Sequence, residues 1–335
     1  MTLNLTNDDK KVKDILEAAQ NVLVIQSDRP DGDSIASALF LEDVLVNVGK
    51  NVHLYCGVAV PEYLRFIQGW DRIDSQLPSK TDVSILVDNA AMTLLEKFEN
   101  QAEALFIKAK PFIVADHHTE VTSDIPYASH NISRANYASA GELLYDVFSS
   151  YDYKISLQAK RYVMQSILSD TLGLSNDLAT PYTYRLMADF IEAGVDRAEL
   201  EEERKKYSKM DLRVFRYKAQ LIDRTEFIHD NQVAICVIPE SESYDVGTLY
   251  NPGPLILGEL LMVQDVRVAI ALKTYHNRAT AAIRCSYGTA VAHELADKFG
   301  GGGHPYSAGF RVDNFNGDVK ALKQSIYDIL KELLS

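Results

Sequence analysis

The sequence has 335 residues and a formal net charge of −13, from 34 Lys and Arg against 47 Asp and Glu. Such an acidic balance argues against a long duplex DNA partner, which needs a broad basic surface, but not against a short phosphorylated ligand held by a few local cations. Hydrophobic residues make up 47%, enough for a full core, the length suits two domains, and no apolar run reaches a membrane span.

The first residues, "MTLNLTNDDKKVKD", lack the layout of a signal peptide. Cys56, Cys236 and Cys285 are too few and too scattered for a disulfide framework or a zinc site. These features predict a soluble, cytoplasmic protein.

Along the first half, short apolar runs alternate with amphipathic stretches. Strands are predicted at 21–27, 51–57, 83–89 and 111–118, and helices at 34–49, 139–151 and 156–170. In the helix 34–49, Ile35, Ala38, Leu39, Val44, Leu45 and Val48 recur near the helical period, and Gly49 suits its end. Continuous apolar strands with helices between them predict a parallel sheet covered on both faces. From about Thr183 the chain becomes helical and heavily charged. After it, strands at 232–239, 266–275 and 279–286 and helices near 253–263, 289–299 and 318–334 predict a second, smaller α/β unit. The expected domains are 1–190, a helical connector 191–222, and 223–335, with a cleft between the two domains.

Acidic groups stand at the ends of these elements. Asp31 and Asp33 follow the first strand in "RPDGDS", Asp88 ends "ILVDN", Asp116, His117 and His118 end "IVADHH", and Asp170 closes "ILSDTLG". In an open parallel sheet the carboxyl ends of the strands line one crevice. Carboxylates converging there are costly unless cations relieve them. Four carboxylates and an imidazole suit Mn²⁺ or Mg²⁺ better than zinc. Taken singly, Asp33 or Ser34 also suits a helix cap, Asp88 a turn and Asp170 a helix end. Their consistent order along the chain favours the metal reading.

The same order, "PDGDS", "VDN", "DHH", "SDTLG" and then "GGGGHPYSAG" at 300–309, resembles the DHH phosphoesterase superfamily, and within it the DHH/DHHA1 subfamily and its NrnA-like oligoribonuclease/pAp-phosphatase group. The resemblance covers nearly the whole chain. It implies a metal-dependent phosphodiesterase or exonuclease acting on very short RNA or linear dinucleotides. It places Asp31 and Asp88 on a first divalent cation and Asp33, Asp88, His117 and Asp170 on a second, Mn²⁺ before Mg²⁺. His118 would face the substrate phosphate or the bridging water, and Asp116 would orient the histidines. Arg284, Gly301, Gly302, Gly303 and His304 would bind substrate in the second domain, the glycines by letting backbone N–H groups approach phosphate. A homodimer is expected from the same resemblance.

One position departs from the family pattern. Its first motif begins with a metal-binding histidine, and here that residue is Ser27. A hydroxyl is a weak ligand, so the first cation is expected to bind weakly or to arrive with substrate. Asp28 is expected to be a solvated turn residue neutralised by Arg29. Two other activities fit the same residues: a pAp phosphatase and a cyclic-dinucleotide phosphodiesterase. A different class fits Ser27, a nucleotide-binding protein with impaired catalysis.

Overall fold

The computed structural model describes residues 5–118, 123–207, 209–245 and 251–334. It divides into two compact units, Met1–Lys209 and Met210–Ser335.

In the first unit the strands are β1 (Asn21–Gln26), β2 (Asn51–Cys56), β3 (Ile73–Asp74), β4 (Val83–Val87), β5 (Phe112–Ala115) and β6 (His130–Asn131). They form one sheet in the order β3-β2-β1-β4-β5-β6, and every neighbouring pair is parallel. The order reverses between β1 and β4, which opens a crevice at the carboxyl ends of those two strands. Side chains alternate between two cores. Val22 and Val24 of β1 and Ile85 and Val87 of β4 enter one core. Leu23 and Ile25 of β1 and Leu86 of β4 enter the other.

The larger core lies under helices α1 (Asn7–Ala18) and α2 (Gly32–Asn47). The smaller one lies under the short helices α3 (Glu96–Glu99) and α4 (Ala104–Lys108). Helices α5 (Ala140–Ser150), α6 (Leu157–Asp170), α7 (Pro181–Glu192) and α8 (Arg197–Tyr207) complete the larger face. Helix α2 is buried over most of its circumference, because it lies between the sheet and α5 and α6. That explains its near-continuous apolar sequence.

In the second unit the helices are α9 (Leu212–Asp223), α10 (Glu240–Asp245), α11 (Pro252–Leu260), α12 (Ala292–Asp297) and α13 (Val319–Leu333). The strands are β7 (Glu226–Ile228), β8 (Val233–Ile238), β9 (Val268–Thr274), β10 (Arg278–Cys285), β11 (Gly302–His304) and β12 (Ser307–Asp313), in the order β11-β12-β10-β9-β8-β7. Only β8 and β9 pair in parallel among these. The charged stretch expected as a connector is shared between the units: Leu200 of α8 packs in the first core, and Val214, Tyr217 and Leu221 of α9 pack in the second unit. Cys56, Cys236 and Cys285 are free and buried. No helix among the described residues is long and apolar enough to cross a membrane.

Helix α2 starts hard against the end of α6. A Cβ on Gly32 would lie 2.9 Å from the Ser169 Cβ and 2.5 Å from its Oγ. Gly32→Ala therefore loses about 1–3 kcal/mol of stability by overpacking. In a double-mutant cycle with Ser169→Gly the loss shrinks, read by urea denaturation; equal losses in both backgrounds would assign the cost elsewhere.

Candidate metal centre

Loops following β1, β4 and β5 converge with the end of α6. Asp33 stands in the first turn of α2, Asp88 directly follows β4, His117 lies two residues beyond β5, and Asp170 is the last residue of α6. One ligand atom from each lies within 4.8 Å of all the others. Two ligands on opposite sides of one Mn²⁺- or Mg²⁺-sized ion stand about 4.2 Å apart, twice a bond of ~2.1 Å, so this spacing fits a shared cation.

The hydrogen bonds explain why the group needs one. His117 Nδ1 lies 3.1 Å from the Tyr137 carbonyl. Since only N–H can satisfy a carbonyl, Nδ1 donates, and in the neutral ring Nε2 presents its lone pair. Nε2 faces Asp170 at 2.9 Å, Asp33 at 3.5 Å and Asp88 at 3.6 Å. It is nevertheless buried without a hydrogen-bond partner among the described residues, as is Asp88 Oδ1. Three carboxylates and a ring nitrogen converge on one point, with two buried polar atoms left over. A divalent cation satisfies both, and the oxygen-rich donor set suits a hard ion.

Asp33 is held more tightly than any other member. It has no solvent exposure. Its Oδ1 accepts from Ser37 Oγ at 2.8 Å, Ser166 Oγ at 2.7 Å and the Gly141 amide at 3.3 Å. Its Oδ2 accepts from the Ala140 amide at 2.7 Å. The two amides are the first of α5, so the positive end of that helix points at the carboxylate. Gly141 allows the approach: a Cβ there would come within 2.3 Å of Ser166 Oγ. These anchoring residues were not identified from sequence. Their only local signal is "SAGE" at 139–142, where Ser139 caps α5.

Asp88 adopts a left-handed backbone (φ +54°), which Asp tolerates better than most side chains, and its amide donates to the Ala115 carbonyl at 2.8 Å. Burial pushes its carboxyl well above the usual range, and the charges of Asp33, Asp31 and Asp170 push further. Burial and Asp33 likewise raise Asp170, to about 6. For His117, burial favours the neutral ring, but the contacts with Asp170 and Asp33 outweigh it and raise the pKa to about 9.

Asp31, rather than Asp33 or Ser34, is the N-cap of α2; its Oδ1 accepts from the Ser34 amide at 2.9 Å, and Ser34 Oγ accepts from the Asp31 amide in return. Burial and Asp33 raise its pKa. It is not among the four donors within 4.8 Å, whereas a second group joins Asp88, His117 and His118. His118 is exposed, and its Nδ1 lies 2.6 Å from Asp116 Oδ1. Burial alone would raise the Asp116 pKa, but the bond to His118 prevails and lowers it, while the same contact raises His118.

Ser27 is buried just beyond β1, its Oγ accepting from the Arg29 amide at 3.2 Å. Asp28 corrects the expectation of a solvated turn residue neutralised by Arg29. It is half-buried, its amide donates to the Leu94 carbonyl and its Oδ2 accepts from the Lys97 amide at 2.8 Å. It thereby ties the end of β1 to the start of α3.

In the second unit Arg284 is the penultimate residue of β10, opposite Ser307, and Ser307 in turn faces His304 across the β11–β12 hairpin. The glycine run has a packing role that sequence alone did not show. A Cβ on Gly301 would meet the Gly309 carbonyl at 2.3 Å, and one on Gly303 (φ +139°) would meet the Ala308 Cα at 2.6 Å. Gly302 faces open space.

Residues 21–172 match the DHH family, N-terminal domain. That stretch is a DHH domain, and it contains the four donors of the candidate metal centre. Over 330 residues it is 24% identical to the bifunctional oligoribonuclease and PAP phosphatase NrnA of Thermus thermophilus, covering 97% of this chain and 94% of that protein. The Bacillus subtilis protein of the same name is 21% identical over 294 residues, 85% of this chain and 87% of its own. Among solved structures, an exopolyphosphatase-related protein from Bacteroides fragilis shares the fold over 99% of this chain and 100% of its own, with a TM-score of 0.81 and 19% identity. The protein is a phosphoester hydrolase with a DHH domain, similar over most of its length to the NrnA proteins.

Without a cation, the folded DHH unit binds more protons at Asp88, Asp170 and His117 than the unfolded chain does. Stability from these groups is therefore present at low pH. It is lost as pH rises, through about 6 for Asp170 and about 9 for His117. A bound divalent cation takes the place of those protons. The rise in Tm on adding Mn²⁺ should accordingly be larger at pH 8.5 than at pH 5.5, and smaller in Asp170→Asn at the higher pH. A pH-independent rise would contradict this account.

Proposed function

We propose that this protein is a divalent-cation-dependent phosphodiesterase that degrades very short RNA oligonucleotides or linear dinucleotides to mononucleotides, with Mn²⁺ as the preferred ion and Mg²⁺ as a substitute. The observation that carries the reading is the largely buried set Asp33, Asp88, His117 and Asp170, with two polar atoms that lack a hydrogen-bond partner among the described residues. The oligoribonuclease activity in the names of relatives matched over most of their length supports the substrate class. Those names also include PAP phosphatase, which favours removal of the 3′-phosphate of 3′-phosphoadenosine 5′-phosphate as a second activity.

In this reading Asp33, Asp88, His117 and Asp170 hold one cation, and Asp31 and Asp88 hold another. Such ions acidify the attacking water and neutralise charge developing on phosphorus. The chain's own residues set the geometry. Tyr137 fixes the His117 tautomer through the Nδ1 bond, and the donors around Asp33 stop it from turning away. Asp116 holds His118 by Nδ1, leaving its other ring nitrogen to donate to a substrate phosphate. Arg284 and His304, with the amide of Gly302, bind a phosphate on the second unit.

The test is hydrolysis of 5′-phosphorylated diadenylate in Mn²⁺, in Mg²⁺ and in EDTA. Metal-dependent release of mononucleotide is expected. Loss of a residue merely supporting a ligand costs 10–100-fold, so Asp170→Asn should lower kcat/KM by about 100-fold or more. Turnover that persists in EDTA would overturn the reading.

Ser27 makes a separate prediction. Ser27→His restores an imidazole beside the proposed Asp31–Asp88 cation and should tighten Mn²⁺ binding in a calorimetric titration. Affinity equal to that of the unchanged protein would show that position 27 does not face a cation.

A further inference from the structure

Two tyrosines on the second unit have no place in the packing of the fold. Tyr287 is 92% exposed and Tyr306 is 39% exposed. Their rings are parallel to within 7°, with centroids 6.2 Å apart. A ring that remains 92% exposed gains almost nothing from its neighbour's cover, so mutual burial does not account for the pair.

Both rings are carried by tight, cross-linked turns. Tyr287 sits in the turn Ser286–Thr289, closed by the Thr289 amide on the Ser286 carbonyl at 3.0 Å, with Gly288 at φ +84°. A positive φ at that third position is what a type II turn requires. Tyr306 lies in the two-residue loop between β11 and β12. Its carbonyl accepts from the Cys285 amide at 3.0 Å, and the adjacent Pro305 carbonyl accepts from the Ala292 amide at 2.8 Å. The loop of Tyr306 is thus tied through the backbone to residues on either side of the Tyr287 turn, and the shelf is formed before any ligand arrives.

The neighbours of the shelf are cationic or neutral donors. Arg284 is three residues before Tyr287 and pairs across the sheet with Ser307, next to Tyr306. Among the described residues its guanidinium bonds only its own strand, at the Ile283 carbonyl (2.9 Å), and meets no carboxylate. His304 pairs with the same Ser307. Opposed residues on neighbouring strands share a face, so Arg284, Ser307 and His304 form a row, and the tyrosine pair stands at its end. A planar aromatic surface beside an uncompensated cation matches the two parts of a nucleotide, its base and its phosphate.

We propose that Tyr287, backed by Tyr306, is a stacking shelf for the nucleobase of a nucleotide whose phosphate is held by Arg284 and His304. The proposal rests on the reading of this unit as the nucleotide-binding part of the protein and assigns the group that recognises the base. Every base has a π-face, so the shelf accepts all four bases and discriminates nucleotides from sugar phosphates.

The test separates the two ideas. Equilibrium binding of AMP and of ribose 5-phosphate is measured on the full-length chain in EDTA, alongside diadenylate hydrolysis in Mn²⁺. The unchanged protein should bind AMP about tenfold or more tighter than ribose 5-phosphate, the range expected for one stacked base. Tyr287→Ala should bring the two ligands within about twofold of each other. Tyr287→Phe should keep the difference, and Arg284→Ala should weaken both ligands alike. Because Tyr287 is so exposed, its alanine variant should keep the wild-type Tm. Unchanged AMP affinity in Tyr287→Ala, or equal affinities for the two ligands in the unchanged protein, would overturn the shelf. Discrimination by Tyr287 without any diadenylate hydrolysis would uphold the shelf and overturn the phosphodiesterase reading.

Discussion

The first unit is organised around the cost of placing like charges together. Asp33, Asp88 and Asp170 crowd one imidazole in a buried pocket. Such a group persists only if something outside it fixes each carboxylate. For Asp33 that is the start of α5 together with Ser37 of α2 and Ser166 of α6. The close approach of these three helices, with Gly32 and Gly141 at the tightest points, follows from meeting those bonds. The all-parallel sheet supplies the other constraint, since its reversal between β1 and β4 brings loops distant in sequence to one crevice.

Much of this was legible in the residues. The parallel core strands announced themselves as continuous apolar runs, because a sheet buried on both faces has no polar side to alternate with. Of the acidic groups at the ends of those runs, Asp33, Asp88 and Asp170 come together around His117. Elements with weaker patterns were missed. β3 and β6 have two residues each, too few for any periodicity. Helix α1 was overlooked, although Thr6 and Asp9 form a capping box at its start; its polar composition hid the buried Val12 and Leu16. β11 was not expected as a strand, since Gly301 and Gly303 serve a close backbone approach that only the folded hairpin reveals.

Neighbouring aspartates in one turn proved to have three different jobs. Asp28 ties a strand end to the Lys97 amide, Asp31 caps a helix, and Asp33 joins the buried donor set. Spacing alone does not separate these roles, because each depends on which amide or cation lies opposite, and those partners come from 60 to more than 100 residues away for Asp28 and Asp33. The serines around Asp33 were invisible for the same reason: Ser166 is an ordinary residue inside a helix until α6 packs against α2.

The strand β10 joins stability and recognition in the second unit. Ala279, Ala281, Ile283 and Cys285 face one core, and Arg284 emerges between the last two on the opposite side. Because side chains alternate strictly, a shift of one residue in this strand would drive the guanidinium into the core and expose the apolar set. Errors of register are thus removed by misfolding before they can produce a protein that folds but binds poorly. The hydrophobic alternation acts as a proofreading device for where a single positive charge is placed.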